Sequence, residues 1–222
     1  MFHLFCKTDA WSQSAATLAT GMFGTQVRVV SGNEGEYCPS FTDVMAGDVL
    51  LSFLCPWVIP GAVLARTELA LNFHPGTRHY PGIGCYNFAL YEEATEYGAV
   101  CHRMAEKVDT GPIILERTFP VSQDDTVELL KFRTRVVLLS LFHDVLGSLR
   151  SGIPLGDGTI EWTRRPFRLI DLVALRTLRP DMTAREMALR IHATSYPGCP
   201  PPRILINDMA FEFPVPQRSP IA

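Results

Sequence analysis

A near-continuous apolar run at residues 48–54 (DVLLSFL) constrains the fold of this chain more strongly than any other sequence feature. After Asp48, its one polar side chain is Ser52. Because successive side chains of a strand point to opposite faces, a strand of this composition is buried on both faces, as in a parallel sheet covered by helices. Strand-like and helix-like segments alternate around this run, and the sequence therefore predicts an α/β domain with a mostly parallel sheet.

The alternation of predicted strands and helices continues through the first half of the chain and changes after residue 155. Strands are predicted at residues 1–5, 26–30, 48–54, 68–73, 97–106 and 112–119, and helices at 12–22, 61–67 and 86–94. A long helix is predicted from Asp125 to about residue 149, with Asp125 and Glu128 as a variant capping box. Further on, we expect a strand at 159–168, two short helices of which the second is capped by Thr183, and an apolar stretch at 204–213. We therefore expect one domain at residues 1–155 and a C-terminal extension at 156–222.

Charge and apolar content argue against nucleic acid and membrane as partners. The 222 residues include 20 Lys and Arg against 23 Asp and Glu, so the net charge is −3 and offers no general attraction to phosphate backbones. Residues 49–65 are uncharged, but they include two prolines and are shorter than the ~20 residues of a spanning helix. We expect a protein that does not enter a membrane.

The six cysteines are scattered singly, without a CxxC pair. Zinc sites need short paired spacings, so we expect no metal site. A chain of this size does not need disulfides for stability, and reduced thiols in a cytoplasmic protein are expected.

Residues 71–76 (LNFHPG) carry the most informative polar side chains. Strand periodicity places Asn72 and His74 on one face and the neighbouring Leu71 and Phe73 on the other. Open α/β sheets bind their ligands at the carboxyl ends of strands, where this segment ends. There, a carboxamide can donate to a developing oxyanion and an imidazole can carry a proton. A structural role for a strand-end histidine is the alternative interpretation.

Asp109 is the third candidate, in a glycine-containing loop between two predicted strands. Its carboxylate could orient His74, while a turn is the alternative interpretation of Asp-Thr-Gly. Spacing alone does not establish that these side chains meet.

The stretch from Leu71 to Ile114 resembles the core signature of the formyltransferases that use N10-formyltetrahydrofolate. That signature combines Asn-x-His-Pro on a strand, a Pro-Gly loop, a helix, Gly-x-x-x-His and Asp-Thr-Gly-x-Ile, all of which this sequence contains. Residues 48–60 are also similar to the strand and loop that flank the pterin in that family. The resemblance implies a Rossmann-like formyltransferase core with a mostly parallel sheet and a small C-terminal α+β extension.

The resemblance also implies roles for the three polar residues. Asn72 would stabilise the oxyanion, and His74 would take the amine proton or, as its conjugate acid, polarise the formyl group. Asp109 would hold His74 and pass a proton toward N10 of the folate. We expect these residues at the rim of a pocket, where substitution changes folding little.

Further binding residues follow from the same resemblance. Folate would be held by Leu54, Cys55, Pro56, Val58, Glu106 and Asp109. From their position and chemistry, His79 and Tyr80 could contact the acceptor or be solvated, and Trp162 could stack on a base or belong to the core. His102 would either line the pocket or form part of its wall. Cys55 and Cys85 lack an obvious base, so we interpret them as small buried residues.

Sequence features outside the signature indicate the branch of the family that this chain resembles. The glycinamide ribonucleotide branch has a glycine- and serine-rich phosphate loop after its first strand, whereas residues 6–11 here read CKTDAW. The initiator-tRNA and formyltetrahydrofolate hydrolase branches carry additional domains, for which we expect no room.

The chain therefore resembles the sugar N-formyltransferases, with residues 80–87, residues 161–167 and Tyr196-Pro197 similar to segments found there. We expect a homodimer that acts on dTDP-4-amino-4,6-dideoxyglucose. GDP-perosamine, glycinamide ribonucleotide or another amine, and an inactive folate-binding scaffold are the alternatives.

Overall fold

The computed structural model describes residues 1–38, 40–207 and 209–214, and its centre is a six-stranded sheet. In chain order the strands are β1 (Phe2–Lys7), β2 (Val27–Gly32), β3 (Val49–Phe53), β4 (Leu69–His74), β5 (Glu96–Arg103) and β6 (Ile113–Pro120). Their spatial order is β2-β1-β3-β4-β5-β6, with the first four parallel and β5 and β6 antiparallel to their neighbours. The predicted α/β class with a mostly parallel sheet is confirmed.

Six α-helices, a short 3-10 helix at Gly24–Gln26 and a second, smaller sheet complete the described part of the chain. The helices are α1 (Ala10–Phe23), α2 (Gly61–Leu64), α3 (Cys85–Tyr91), α4 (Val127–Arg150), α5 (Leu169–Arg176) and α6 (Ala184–Thr194). The small sheet contains β7 (Thr177–Leu178), β8 (Arg203–Ile206) and β9 (Met209–Glu212) in that order.

The main core lies between the large sheet and helices α1 and α4. Leu71 and Phe73 of β4 point into it, and the Phe73 ring meets Phe142 of α4 with ring centroids 4.7 Å apart. Leu51 of β3 lies in the same core, whereas Leu50 packs into a separate cluster on the other face. Strand β3 is therefore buried on both sides, which explains its apolar run.

Helix α4 begins two residues later than the sequence predicted, and its cap is a different residue. Thr126 is the N-cap, and its hydroxyl accepts from the Leu129 amide. Asp125 instead accepts from the Ser122 amide and pairs with Arg133 at 2.6 Å. The prediction of Asp125 as the cap was wrong because this carboxylate closes the preceding turn. The predicted cap Thr183 is confirmed, since it accepts from the Glu186 amide.

The predicted strand at 159–168 was also wrong. This segment makes only isolated bridges, from Ile160 to Ile113 and from Phe167 to Gly82. Pro166 has no N–H to offer a ladder, and Arg164 and Arg165 turn outward to ion pairs.

Near the end of the described residues, strands β8 and β9 pair antiparallel to each other. Residues 215–222, the end of the expected extension, lie outside the described residues. Within the described ranges, no helix has both the length and the apolar composition needed to cross a membrane.

Candidate active site

Three polar side chains form a row across the carboxyl ends of adjacent strands. The strand register pairs Ser52 of β3 with Asn72 of β4, and Asn72 with His102 of β5. His74 follows two residues after Asn72 and reaches the same cluster, while Leu71 and Phe73 point into the core. The predicted division of the β4 side chains between two faces is confirmed.

The carboxamide of Asn72 is held at both ends. Its oxygen accepts from the Ser52 hydroxyl at 2.7 Å. Its nitrogen lies 3.0 Å from His102 Nε2 and donates to Asp109 Oδ1 at 3.3 Å. Because His102 Nδ1 is 2.8 Å from the Arg103 carbonyl, to which it must donate, a neutral His102 accepts from Asn72 through Nε2. The network therefore fixes the direction of both amide hydrogens.

His74 lies between two acceptors. Its Nδ1 is 3.1 Å from Asp109 Oδ2, and its Nε2 is 2.9 Å from the carbonyl oxygen of Tyr80. Both contacts are hydrogen bonds only when both ring nitrogens carry a proton. In that state His74 is a cation beside the Asp109 carboxylate.

Asp109 connects the whole cluster. Its Oδ2 also accepts from the Gly82 amide at 2.8 Å, and its Oδ1 lies 3.3 Å from His102 Nε2. Burial raises the pKa of this carboxyl, but the charge of His74 and the hydrogen bonds outweigh burial and hold the pKa well below its ordinary value. Asp109 is therefore an anion at neutral pH.

The backbone at this cluster adopts unusual conformations. Asp109 has φ of 50°, in the left-handed region that costs L residues roughly 1–2 kcal/mol. Gly82 has φ of 87°, and a Cβ there would lie 2.3 Å from the Phe167 carbonyl oxygen. Only glycine fits this approach while presenting its N–H to Asp109.

A cavity of about 560 Å³ opens beside the cluster, with Asn72, His74, His102 and Asp109 in its wall. Large apolar side chains border it and remain half-exposed or more: Val58 (66%), Ile83 (50%), Val108 (51%) and Leu169 (58%). Exposed apolar groups gathered around a polar floor are typical of a ligand site.

Most of the predicted folate residues border this cavity. Leu54, Cys55, Pro56, Val58 and Asp109 all line it. Leu54 has φ of 51°, which is unusual for a bulky residue. The side chain of Glu106 lies against Gly61 of α2 and is not among the residues that line the cavity.

The predicted acceptor residues lie elsewhere around the cluster. His79 and Tyr80 line a separate cavity of about 300 Å³ together with Glu116. Trp162 packs edge-on against His74 and His102, with ring centroids 5.7 and 5.2 Å apart, and its Nε1 donates to the Gly111 carbonyl. Contact of these residues with an acceptor stays a prediction.

The cysteines near the cluster are protonated thiols. Burial raises the pKa of both Cys55 and Cys85 to about 11. A thiol with so high a pKa is a poor nucleophile at neutral pH. In the described part of the chain, no group of three or more His, Cys, Asp or Glu side chains is placed to hold a metal ion.

Two members of the cluster were not selected from the sequence. Ser52 is the lone hydroxyl in the apolar run of β3, and that contrast was the available signal. His102 was noted only as a residue of the wall or the pocket, because its role depends on pairing with Asn72 across β4 and β5.

The cluster is more buried than the sequence led us to expect. His74 is 5% exposed and Asp109 4% exposed, so neither lies at a rim. Their substitution should affect folding as well as chemistry.

The fold and the cluster define an α/β protein in which Asn72 meets the buried His74 and Asp109 at the carboxyl ends of the parallel strands, beside an apolar-rimmed cavity. Residues 40–146 match the family described as formyl transferase. This match covers just under half of the chain and agrees with the resemblance seen in the sequence.

Curated relatives are similar over part of the chain. The human trifunctional purine biosynthetic protein adenosine-3 is 35% identical over 97 residues, which are 42% of this chain and 10% of that protein. Phosphoribosylglycinamide formyltransferase from Haemophilus influenzae is 35% identical over 66 residues, 29% of this chain and 31% of that enzyme. This chain thus matches less than a third of the length of either relative.

Solved structures share the fold over nearly the whole chain. A sugar N-formyltransferase from Shewanella sp. FDAARGOS_354 has a TM-score of 0.79 at 17% identity, covering 99% of each chain. The N-formyltransferase from Helicobacter canadensis, in complex with folinic acid and dTDP-3-aminofucose, has a TM-score of 0.71 at 15% identity, covering 87% of this chain and 80% of that one.

Proposed function

We propose that this protein transfers the formyl group of N10-formyltetrahydrofolate to the amine of a nucleotide-linked amino sugar, with dTDP-4-amino-4,6-dideoxyglucose as the substrate. The observation that carries the proposal is the convergence of Asn72, His74 and Asp109 in one hydrogen-bonded cluster beside the apolar-rimmed cavity. The match of residues 40–146 to the formyltransferase family and a fold shared with sugar N-formyltransferases support it.

The cavity suits a folate. Its apolar rim can enclose flat rings, which bind by burying apolar surface. Leu54, Cys55, Pro56 and Val58 form one wall of the folate site in this proposal, with Glu106 behind them. The bound folate supplies an electrophilic formyl carbon.

Asn72 is the donor to the oxygen of that formyl group. When the acceptor nitrogen attacks, negative charge develops on this oxygen, and a fixed N–H directed at it lowers the barrier. Ser52 and His102 hold the carboxamide in position. One amide hydrogen must exchange its protein partner for the formyl oxygen when the substrates bind.

His74 and Asp109 assist the proton transfers of the reaction. The new bond joins the acceptor nitrogen to the formyl carbon, and the bond from that carbon to N10 breaks. The acceptor amine loses one proton and N10 gains one. As a cation, His74 polarises the formyl group, while Asp109 orients His74 and relays the proton through water.

The extension belongs to the same proposal. Residues 1–155 form the catalytic domain, and residues 156–222 contribute contacts to the acceptor, including Trp162, and to a second subunit of a homodimer. His79 and Tyr80 complete the acceptor contacts. The free cysteines of the described chain suit the reducing cytoplasm.

Glycinamide ribonucleotide is the second candidate acceptor, favoured by the identity to purine-biosynthetic relatives. The local structure at α1 opposes it. Asp9 caps this helix, its carboxylate accepts from the Ser12 amide, and it lies 3.6 Å from Arg135. A carboxylate at that helix terminus occupies the amide and repels the phosphate that such a ligand would place there.

A mass-spectrometric turnover assay with N10-formyltetrahydrofolate tests the proposal. The acceptors are dTDP-4-amino-4,6-dideoxyglucose, its galacto epimer, dTDP-3-amino sugars, GDP-perosamine and glycinamide ribonucleotide. We expect the mass of one formyl group to be gained by the first. Turnover of GDP-perosamine alone would show that the acceptor carries GDP and not dTDP. Turnover of glycinamide ribonucleotide alone would overturn the assignment of an amino sugar as the acceptor.

The Asn72→Ala variant separates an enzyme from a folate-binding scaffold. We expect turnover to fall about 10²–10³-fold while folate affinity is retained, because one oxyanion donor is lost. A wild-type protein that binds folate but formylates none of the acceptors would favour the scaffold.

A further inference from the structure

A second cavity of about 430 Å³ lies beside the first, between α3, α4, α5 and the loop that follows α6. Leu169 borders both cavities. Leu169 is 58% exposed, so its side chain does not close the passage between the two cavities. A ligand that reaches the cluster can therefore extend past Leu169 into the second cavity.

Two cations project into this second cavity. Lys131 of α4 donates to the Tyr196 hydroxyl at 3.2 Å, and Arg176 of α5 donates to the Pro200 carbonyl at 3.4 Å. Their hydrogen bonds in the described chain thus go to neutral oxygens. Neighbouring arginines of α4 differ, because Arg133 and Arg135 pair with the carboxylates of Asp125 and Asp9.

The remaining wall is apolar and aromatic. Val127, Leu172 and Val173 line it, and the Tyr196 ring lies 4.4 Å from the Lys131 ammonium. An aromatic ring and aliphatic side chains beside two cations match the chemistry of a nucleoside diphosphate, which combines a flat base with a charged diphosphate.

The positive charge of Lys131, in the second cavity, also acts on a carboxylate at the edge of the catalytic cavity. Glu34 and Lys7 lie at the edge of the catalytic cavity and pair with each other at 2.5 Å. The pKa of Glu34 is lowered mainly by Lys7, with a smaller contribution from Lys131. Lys131 is thus near enough to act on the edge of the catalytic cavity.

We propose that the second cavity holds the nucleoside diphosphate part of the acceptor, with Lys131 and Arg176 contacting the diphosphate and Tyr196 packing beside the base. The proposal rests on the function proposed above, since it places the sugar between Leu169 and the catalytic cluster. In this proposal the diphosphate binds away from the N-terminus of α1, where the Asp9 carboxylate already accepts from the Ser12 amide.

Calorimetric titration of dTDP into the purified protein tests this site without any turnover. We expect dTDP affinity to fall about 10-fold or more in each of Lys131→Gln and Arg176→Gln, since each loses a charge-assisted contact. Arg150→Gln is the matched control, because Arg150 is an exposed cation at the far end of the same helix. Affinity for 5-formyltetrahydrofolate should stay unchanged in all three variants.

The same titration has clear opposing results. Unchanged dTDP affinity in both cavity variants, or no binding of dTDP, UDP or GDP to the wild type, would overturn the second site. An equal loss of dTDP affinity in Arg150→Gln would also overturn the second site, because the loss would then follow from the net charge of the protein and not from contacts in the cavity.

Turnover data then separate this inference from the proposed function. If an amino sugar is formylated, the cavity variants should raise its KM about 10-fold and leave kcat nearly unchanged. An unchanged KM would overturn the second site alone. Tight dTDP binding that is lost in both cavity variants, without formylation of any nucleotide sugar, would overturn the proposed function and leave the second site supported.

Discussion

The two ends of the parallel strands each carry a buried histidine paired with an aspartate, and the pair at the carboxyl ends lines the catalytic cavity described above. At the amino ends, Asp48 accepts from the Met45 amide and lies 2.9 Å from His3 Nε2 and 3.0 Å from the Met1 amine. At the carboxyl ends, Asp109 holds His74.

The difference between the pairs lies in their surroundings. His3 and Asp48 close the start of β1 against β3, and neither lines any of the cavities described above. Asp109 also accepts hydrogen bonds from Asn72 and Gly82, and both His74 and Asp109 lie in the wall of a large cavity. A buried His-Asp pair is therefore not sufficient to mark a site, and the adjoining space and donors are what distinguish it.

The largest expected effect is that of Asp109→Asn. The neutral amide cannot balance the charge of His74, so we expect kcat to fall about 10²–10⁴-fold. The melting temperature should also fall, since the variant leaves a buried charge without its partner. Steady-state kinetics and thermal unfolding measure the two effects. Retention of most of the kcat would remove Asp109 from the proposed mechanism.

Asp48→Asn is the matched change at the opposite end of the sheet. It weakens contacts to the Met1 amine and His3, so we expect a loss of about 2 kcal/mol in the free energy of unfolding. This corresponds to a fall of roughly 4–8 °C in melting temperature. Turnover at 25 °C should be unchanged. A large loss of turnover in the folded variant would contradict the division between the two ends.

The Asp48 contribution should depend on pH in a defined direction. Burial raises its pKa, but the Met45 amide, the Met1 amine and His3 lower it to about 2. Since a free aspartate has a pKa of about 3.9, the stabilisation is complete above that pH and is lost as pH falls toward 2. Denaturant unfolding of wild type and Asp48→Asn from pH 6 to pH 2 should show the difference between them shrinking. A difference that stays constant would exclude this carboxylate as its source.

Substitution of His102 in the catalytic cluster should lower kcat by an intermediate amount. His102→Leu removes the acceptor of an Asn72 hydrogen, and we expect kcat to fall about 10-fold, the equivalent of roughly one hydrogen bond. His102→Gln offers an amide oxygen in its place and should restore part of the kcat. Equal losses in both variants would indicate that His102 acts by packing alone.

Ser52→Ala should give the smallest effect. It removes one hydrogen bond to the Asn72 oxygen, worth about 1 kcal/mol, so we expect kcat to fall several-fold with folate affinity unchanged. A loss as large as that of Asn72→Ala would mean that Ser52 contacts the substrates directly.

The sequence by itself determined the local features of this protein. The apolar run of β3, the alternation that separates Asn72 from Phe73, and the cap at Thr183 depend on neighbours within a few residues, and each was predicted correctly. The error at Asp125 arose because two adjacent residues are both suitable helix caps, and the second of them, Thr126, caps the helix while Asp125 closes the preceding turn.

Only the tertiary structure decided which distant side chains meet. Ser52, Asn72, His102 and Asp109 are far apart in sequence, and strand order and register bring them into hydrogen-bond contact. The second cavity has the same origin, since it depends on how α3, α4 and α5 pack. A sequence pattern reports the environment of one segment, whereas a site is formed by several segments that meet.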